Sequence, residues 1–144
     1  MQKKTVIIVS IMFLLLIVVV IALSVTMIVW NARAVKGNEL FDIHYDEIES
    51  VTAVWMPYPQ STTKAQLTDD EIRVLSNELN SCMLIQTFED YDGAGTLIEI
   101  AMKDGSTRSI SLQDGDIAVD GQRYEFYGSL QWVDRILEER GETE

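Results

Sequence analysis

The chain has one cysteine and one histidine in 144 residues. A single thiol, Cys82, excludes any internal disulfide, so packing and hydrogen bonds must hold the fold. Cys82 falls near the end of an apolar-periodic segment and is expected to be packed there. A single imidazole, His44, leaves histidine-based catalysis only one candidate. It lies in Ile43-His44-Tyr45-Asp46, and no Gly-X-Ser-X-Gly nucleophile motif occurs anywhere. His44 therefore reads as an ordinary surface residue. No lysine follows Gly93-Ala94-Gly95, and the neighbouring acids would repel phosphate, so those glycines form no phosphate cradle.

Basic residues are also scarce: 11 lysines and arginines stand against 23 acids. Every acid follows Lys36, where only seven basic residues remain, a formal charge of −16 over the last 108 residues. Nucleic acid and anionic lipid are polyanions and would repel such a segment. A protein or cationic ligand is the expected partner, and no cofactor is indicated. The same stretch is long enough for one compact domain and too short for two.

What the chain does have is one long oily run. Thr5–Trp30 holds 26 residues without a charge. About 20 apolar residues cross a ~30 Å hydrocarbon core as a helix. A signal peptide's apolar region is shorter, so a retained anchor is expected. Ala32-Arg33-Ala34 does have a small-X-small form, which makes cleavage after Ala34 the alternative. No ionisable group lies inside the run, so it offers no transport path. No Gly-X-X-X-Gly pattern marks a dimer face, and the oligomeric state is not indicated. Ser24 and Thr26 can bond to carbonyls of their own helix. Lys3, Lys4 and the terminal amine precede the run and Arg33 and Lys36 follow it; this slight cationic excess, with only four residues before the run and about 108 after Lys36, favours a cytoplasmic amino end. The expected division is a cytoplasmic N-terminus at 1–4, a transmembrane helix at 5–30, a juxtamembrane linker at 31–39, an extracytoplasmic domain at 40–141 and a tail at 142–144.

Inside the domain, alternation from Glu49 puts Val51, Ala53 and Trp55 on one strand face, with Trp55 in the core. Pro57 and Pro59 end that strand, and 60–65 reads as a loop. Thr68 and Glu71 then form a capping box, and Leu67 and Ile72 form a staple. Ile72, Leu75 and Leu79 continue as a helical stripe ending near Asn80 or Ser81. Three Asp-Gly pairs, at 104–105, 114–115 and 120–121, punctuate alternating segments from Ile98 to Phe126. They predict type I′ turns and a four-strand antiparallel meander. Ser129 is the expected cap of a last helix carrying Trp132, Val133, Ile136 and Leu137, with Gly141 ending it. The predicted fold is α+β: a transmembrane helix, then a two-layer domain in the order strand, helix, four-strand meander, helix.

Chemistry-bearing patterns are weak. Asp90 and Asp92 open a stretch with the look of a calcium loop, but the twelfth position is Ala101, which cannot ligate. They remain candidates for a weak ion site only. Tyr58 lies between two prolines, and Tyr127 falls opposite Tyr124 and Phe126. Both are candidates for an exposed recognition surface.

At Phe41-Asp42-Ile43, Asp46–Val51 and Trp55-Met56-Pro57-Tyr58-Pro59, the chain resembles a group of uncharacterised domains. These are carried on small single-span or secreted proteins of Gram-positive bacteria. The later capped helix, Asp-Gly hairpins and final helix are similar too, so the resemblance covers about residues 40–140. It implies a surface-facing bacterial protein and brings no catalytic residue or ligand. The expected function is a membrane-anchored, non-enzymatic binding or interaction module outside the cytoplasm. The alternatives are an accessory or regulatory subunit of a larger membrane complex and a small carboxylate-dependent hydrolase.

Overall fold

A computed structural model describes residues 2–55, 62–87 and 95–143, with backbone alone at 2–6 and 30–32. The chain forms two compact units, Met1–Ala34 and Val35–Glu144. The first is the helix α1, Gln2–Arg33, longer at both ends than the predicted span. From Ile7 to Val29 it is apolar, exposed along its length and long enough to cross a membrane. Ser24 Oγ and Thr26 Oγ1 donate to the carbonyls of Val20 and Ala22, at 2.8 and 2.9 Å. Their polar groups are thus satisfied within the helix, as an apolar surrounding requires.

The second unit is α+β. Its elements are β1 (Ala34–Lys36), α2 (Gly37–Leu40), a 3-10 turn (Tyr45–Glu47), β2 (Ile48–Trp55), β3 (Thr63–Gln66), α3 (Asp69–Ser81), β4 (Met83–Gln86), β5 (Thr96–Met102), β6 (Thr107–Gln113), β7 (Asp116–Val119), β8 (Gln122–Tyr127), α4 (Gln131–Arg140) and β9 (Glu142–Thr143). One nine-stranded sheet runs in the order β1-β4-β8-β7-β6-β5-β2-β3-β9. The predicted meander is its centre, β5 through β8, each strand antiparallel to the next.

Four short strands depart from expectation. The predicted linker ends in β1 and α2, the predicted loop holds β3, the residues after α3 form β4, and the tail is β9. They have two to four residues each, too few for alternation to show. Short strands at both sheet edges leave little unpaired backbone to template aggregation.

The turns differ in detail. Asp114 and Gly115 have φ of 50° and 89°, and Asp120 and Gly121 have 51° and 79°, as type I′ requires. Asp104 is not left-handed. Gly105 alone is, the Gly105 amide donates to the Met102 carbonyl, and the Met102 amide donates to that of Ser106. That is a three-residue loop with a bulge, which needs only one left-handed residue.

One hydrophobic core joins sheet and helices. Val51, Ala53, Ile98, Ile100 and Ile110 from the strands meet Ile72, Leu75 and Leu79 of α3 and Val133, Ile136 and Leu137 of α4. The Thr68–Glu71 capping box forms as predicted, and Leu67 is buried at the staple position. The Ser129 cap does not form. Leu130 is the N-cap, without a side-chain bond, and its side chain is buried in the core. Burial of Leu130 sets where α4 begins, in place of a hydroxyl cap. Trp132 Nε1 donates to Glu78 Oε2 at 2.8 Å, and Arg140 pairs with Glu71 at 2.7 Å, so α4 is tied to α3 at two points.

Candidate functional site

Cross-strand register builds one hollow from a row of the sheet. Trp55 ends β2 opposite Thr96, the first residue of β5. Thr96 opposes Leu112 on β6, and Leu112 opposes Ile117 on β7. One pair further in, Ala53, Ile98 and Ile110 are fully buried. The end row is not closed in this way: Thr96 and Ile117 are buried, Leu112 is half-buried, and Trp55 is 41% exposed. The predicted core place of Trp55 is therefore corrected. It shares a face with Val51 and Ala53, but at the strand's end its indole borders open space.

That space is a groove of about 500 Å³. Its floor is the end row together with Phe126, and its walls are the Gln113–Asp116 turn and the start of α4. A second hollow of about 490 Å³ shares Trp55, Thr96 and Asp134 and continues along α4 past Leu137 and Glu138. These three residues stand where the two hollows meet. Gly95 lies on the rim with φ of 136°, a conformation open to glycine, and a side chain there would strike the Leu112 carbonyl.

The electrostatics are one-sided. Asp114, Asp116, Asp134 and Glu138 border the two hollows, and no lysine, arginine, histidine or cysteine is among the described lining residues. The Thr96 hydroxyl donates to Asp134 Oδ1 at 2.7 Å, fixing the orientation of that carboxylate. Asp116 accepts from Arg123 Nε at 2.9 Å. An apolar floor beneath a carboxylate rim suits a ligand with both hydrocarbon and positive charge. A larger hollow of about 620 Å³ lies between Phe41 and β6. There the Arg108 guanidinium donates to the Phe41 carbonyl, tying the segment before β2 to the sheet.

The residues singled out in the sequence do not converge on this groove. Tyr127 is exposed on β8 beside its cross-strand partner Met83 and is not among the groove's described lining residues, although its neighbours Phe126 and Gly128 are. Its hydroxyl donates to Glu125 Oε2 at 3.1 Å, and that carboxylate holds the phenol above its ordinary range. Tyr58, Asp90 and Asp92 lie outside the described residues. Among those described, no three His, Cys, Asp or Glu side chains gather as metal ligands. His44 is exposed and lies 3.5 Å from Asp42. Cys82 is packed as expected, and burial pushes its thiol up to about 11.

Sequence reading missed Trp55, Thr96 and Asp134 as a group. The available signal was an indole two residues before Pro57, at a strand's forced end. Compared with family models, curated proteins and solved structures, the chain matches none of them.

Proposed function

We propose that this chain is a non-enzymatic binding module, tethered by α1 and displayed outside the cytoplasm with its amino end inside. Membrane tethering is supported by the length, apolarity and full exposure of Ile7–Val29. The orientation is proposed from the positive-inside tendency, with Lys3 and Lys4 before the span weighed against Arg33 and Lys36 after it. A surface-facing bacterial protein is the setting implied by the resemblance at residues 40–140.

The observation that carries the binding role is the groove at Trp55, Thr96 and Asp134. It offers an apolar floor, an exposed indole and an oriented carboxylate, which are the elements of a recognition site. Its acids are engaged in ways that suit binding: Asp134 is held by Thr96 and Asp116 by Arg123.

Photo-cross-linking tests this reading. A photoreactive residue replaces Gln131, which lines the groove, in the full chain within its native membrane. One discrete adduct, lost on Trp55→Ala, is expected. Absence of any adduct, together with hydrolysis of ester, peptide or glycosidic substrates that requires Asp114 or Asp116, would replace the binding module by an enzyme.

A further inference from the structure

We infer that the groove takes a lysine- or arginine-bearing extended segment of a partner protein, with one cationic head set between the Trp55 indole and the Asp134 carboxylate. The inference rests on the reading of the domain as a binding module and specifies what it binds.

Four observations lead there. An indole face attracts a cation, most strongly where water is partly excluded. Trp55 is 41% exposed, and that exposed part borders both hollows. Beside it stands a carboxylate already oriented by the buried Thr96 hydroxyl, so little ordering remains to be done when a cation arrives. Four carboxylates border the two hollows, Asp116 among them already paired with Arg123, and no lysine or arginine is among the described lining residues. The unit from Val35 to Glu144 has eight basic residues against 23 acids, a formal charge of −15 that attracts basic partners at a distance.

The shape selects a segment over a bare ion. The hollows adjoin at Trp55, Thr96 and Asp134 and together exceed the volume of one side chain. The half-buried Leu112 and Phe126 offer apolar contact that a metal ion or small ammonium would leave unused. The methylene stems of lysine and arginine fill such surfaces while their heads reach the charge.

The test uses the full chain in nonionic detergent at about 0.15 M salt, which screens diffuse attraction. Binding is read by fluorescence anisotropy of a labelled alternating lysine–alanine peptide. Glutamate–alanine and serine–alanine peptides and spermidine serve as comparisons. Melting curves confirm that the Trp55→Ala and Asp134→Asn variants stay folded, and Trp55→Phe provides a milder change. The lysine peptide should bind, and each of Trp55→Ala and Asp134→Asn should weaken it by about tenfold. Trp55→Phe should fall between wild type and Trp55→Ala.

If the lysine peptide binds equally well to both variants, the cation subsite is wrong while the binding module stands. The subsite is equally wrong if the serine peptide binds better, or if spermidine binds as tightly as the peptide. If no peptide binds and the groove cross-links to nothing in the membrane, both proposals fall.

Discussion

The Thr96 hydroxyl reaches across from the first residue of β5 to the Asp134 carboxylate, 2.7 Å away in the first turn of α4. Thr96 is 2% exposed, whereas Asp134 is exposed, so one partner is fixed and the other is aimed.

Thr96→Val removes the donor and keeps the shape. The loss should be about 1 kcal/mol, because the exposed Asp134 can turn to water for a replacement bond. A denaturant titration measures it through the shift in midpoint at constant slope. The variant should also weaken basic-peptide binding less than Asp134→Asn does, since Thr96 positions the charge without supplying it.

The cap of α3 makes a second, pH-linked prediction. Burial pushes the Glu71 carboxyl up, but bonds from Arg140 and Thr68 outweigh it and hold the group below its ordinary 4.5. A depressed folded value favours the charged form, so this stabilisation is present above pH 4.5 and lost as pH falls through the folded value. Thr68→Ala should cost about 1 kcal/mol at neutral pH. Glu71→Gln should lower the neutral-pH melting temperature and flatten its decline on acidification. Thermal unfolding at stepped pH values checks both.

These two elements show what the sequence could reveal. The capping box is local, four residues long, and forms as read. The meander is legible for a similar reason, since each Asp-Gly turn and its flanking alternation lie within one hairpin. β3 and β9 are different. Thr63 pairs with Thr143 across the whole intervening domain, and neither strand has an apolar pattern of its own. The groove belongs to this second kind. Parity puts Trp55 on the core face, but its exposure depends on where α4 and the β6–β7 turn come to rest. The predicted linker at 31–39 is of this kind too: Gly37 is buried, with its amide bonded to the Cys82 carbonyl at 2.9 Å, a contact between residues far apart in the chain.

Gly37→Ala should therefore be costly. A methyl there would lie 1.8 Å from the Leu79 carbonyl oxygen and 2.8 Å from Cys82 Sγ. The backbone must move, at a cost of about 2 kcal/mol by analogy with overpacked cores. Differential scanning calorimetry of the variant beside wild type measures the loss.

Cys82 should be inert until the domain opens. Burial raises its thiol to about 11, and Sγ donates to the Leu79 carbonyl at 3.1 Å. The thiolate is the reactive form, so iodoacetamide should label the native chain slowly and the urea-unfolded chain rapidly. Rapid labelling of the native chain would place the thiol at the surface.

The tethered, outward-facing domain is tested most directly by the side on which it meets a reagent. Ser106 is exposed in the β5–β6 turn. A Ser106→Cys, Cys82→Ser chain offers one accessible thiol to a membrane-impermeant maleimide. Labelling in intact cells, with the chain remaining in the membrane fraction after washing, is the expected result. Labelling only after lysis would invert the topology and contradict the account.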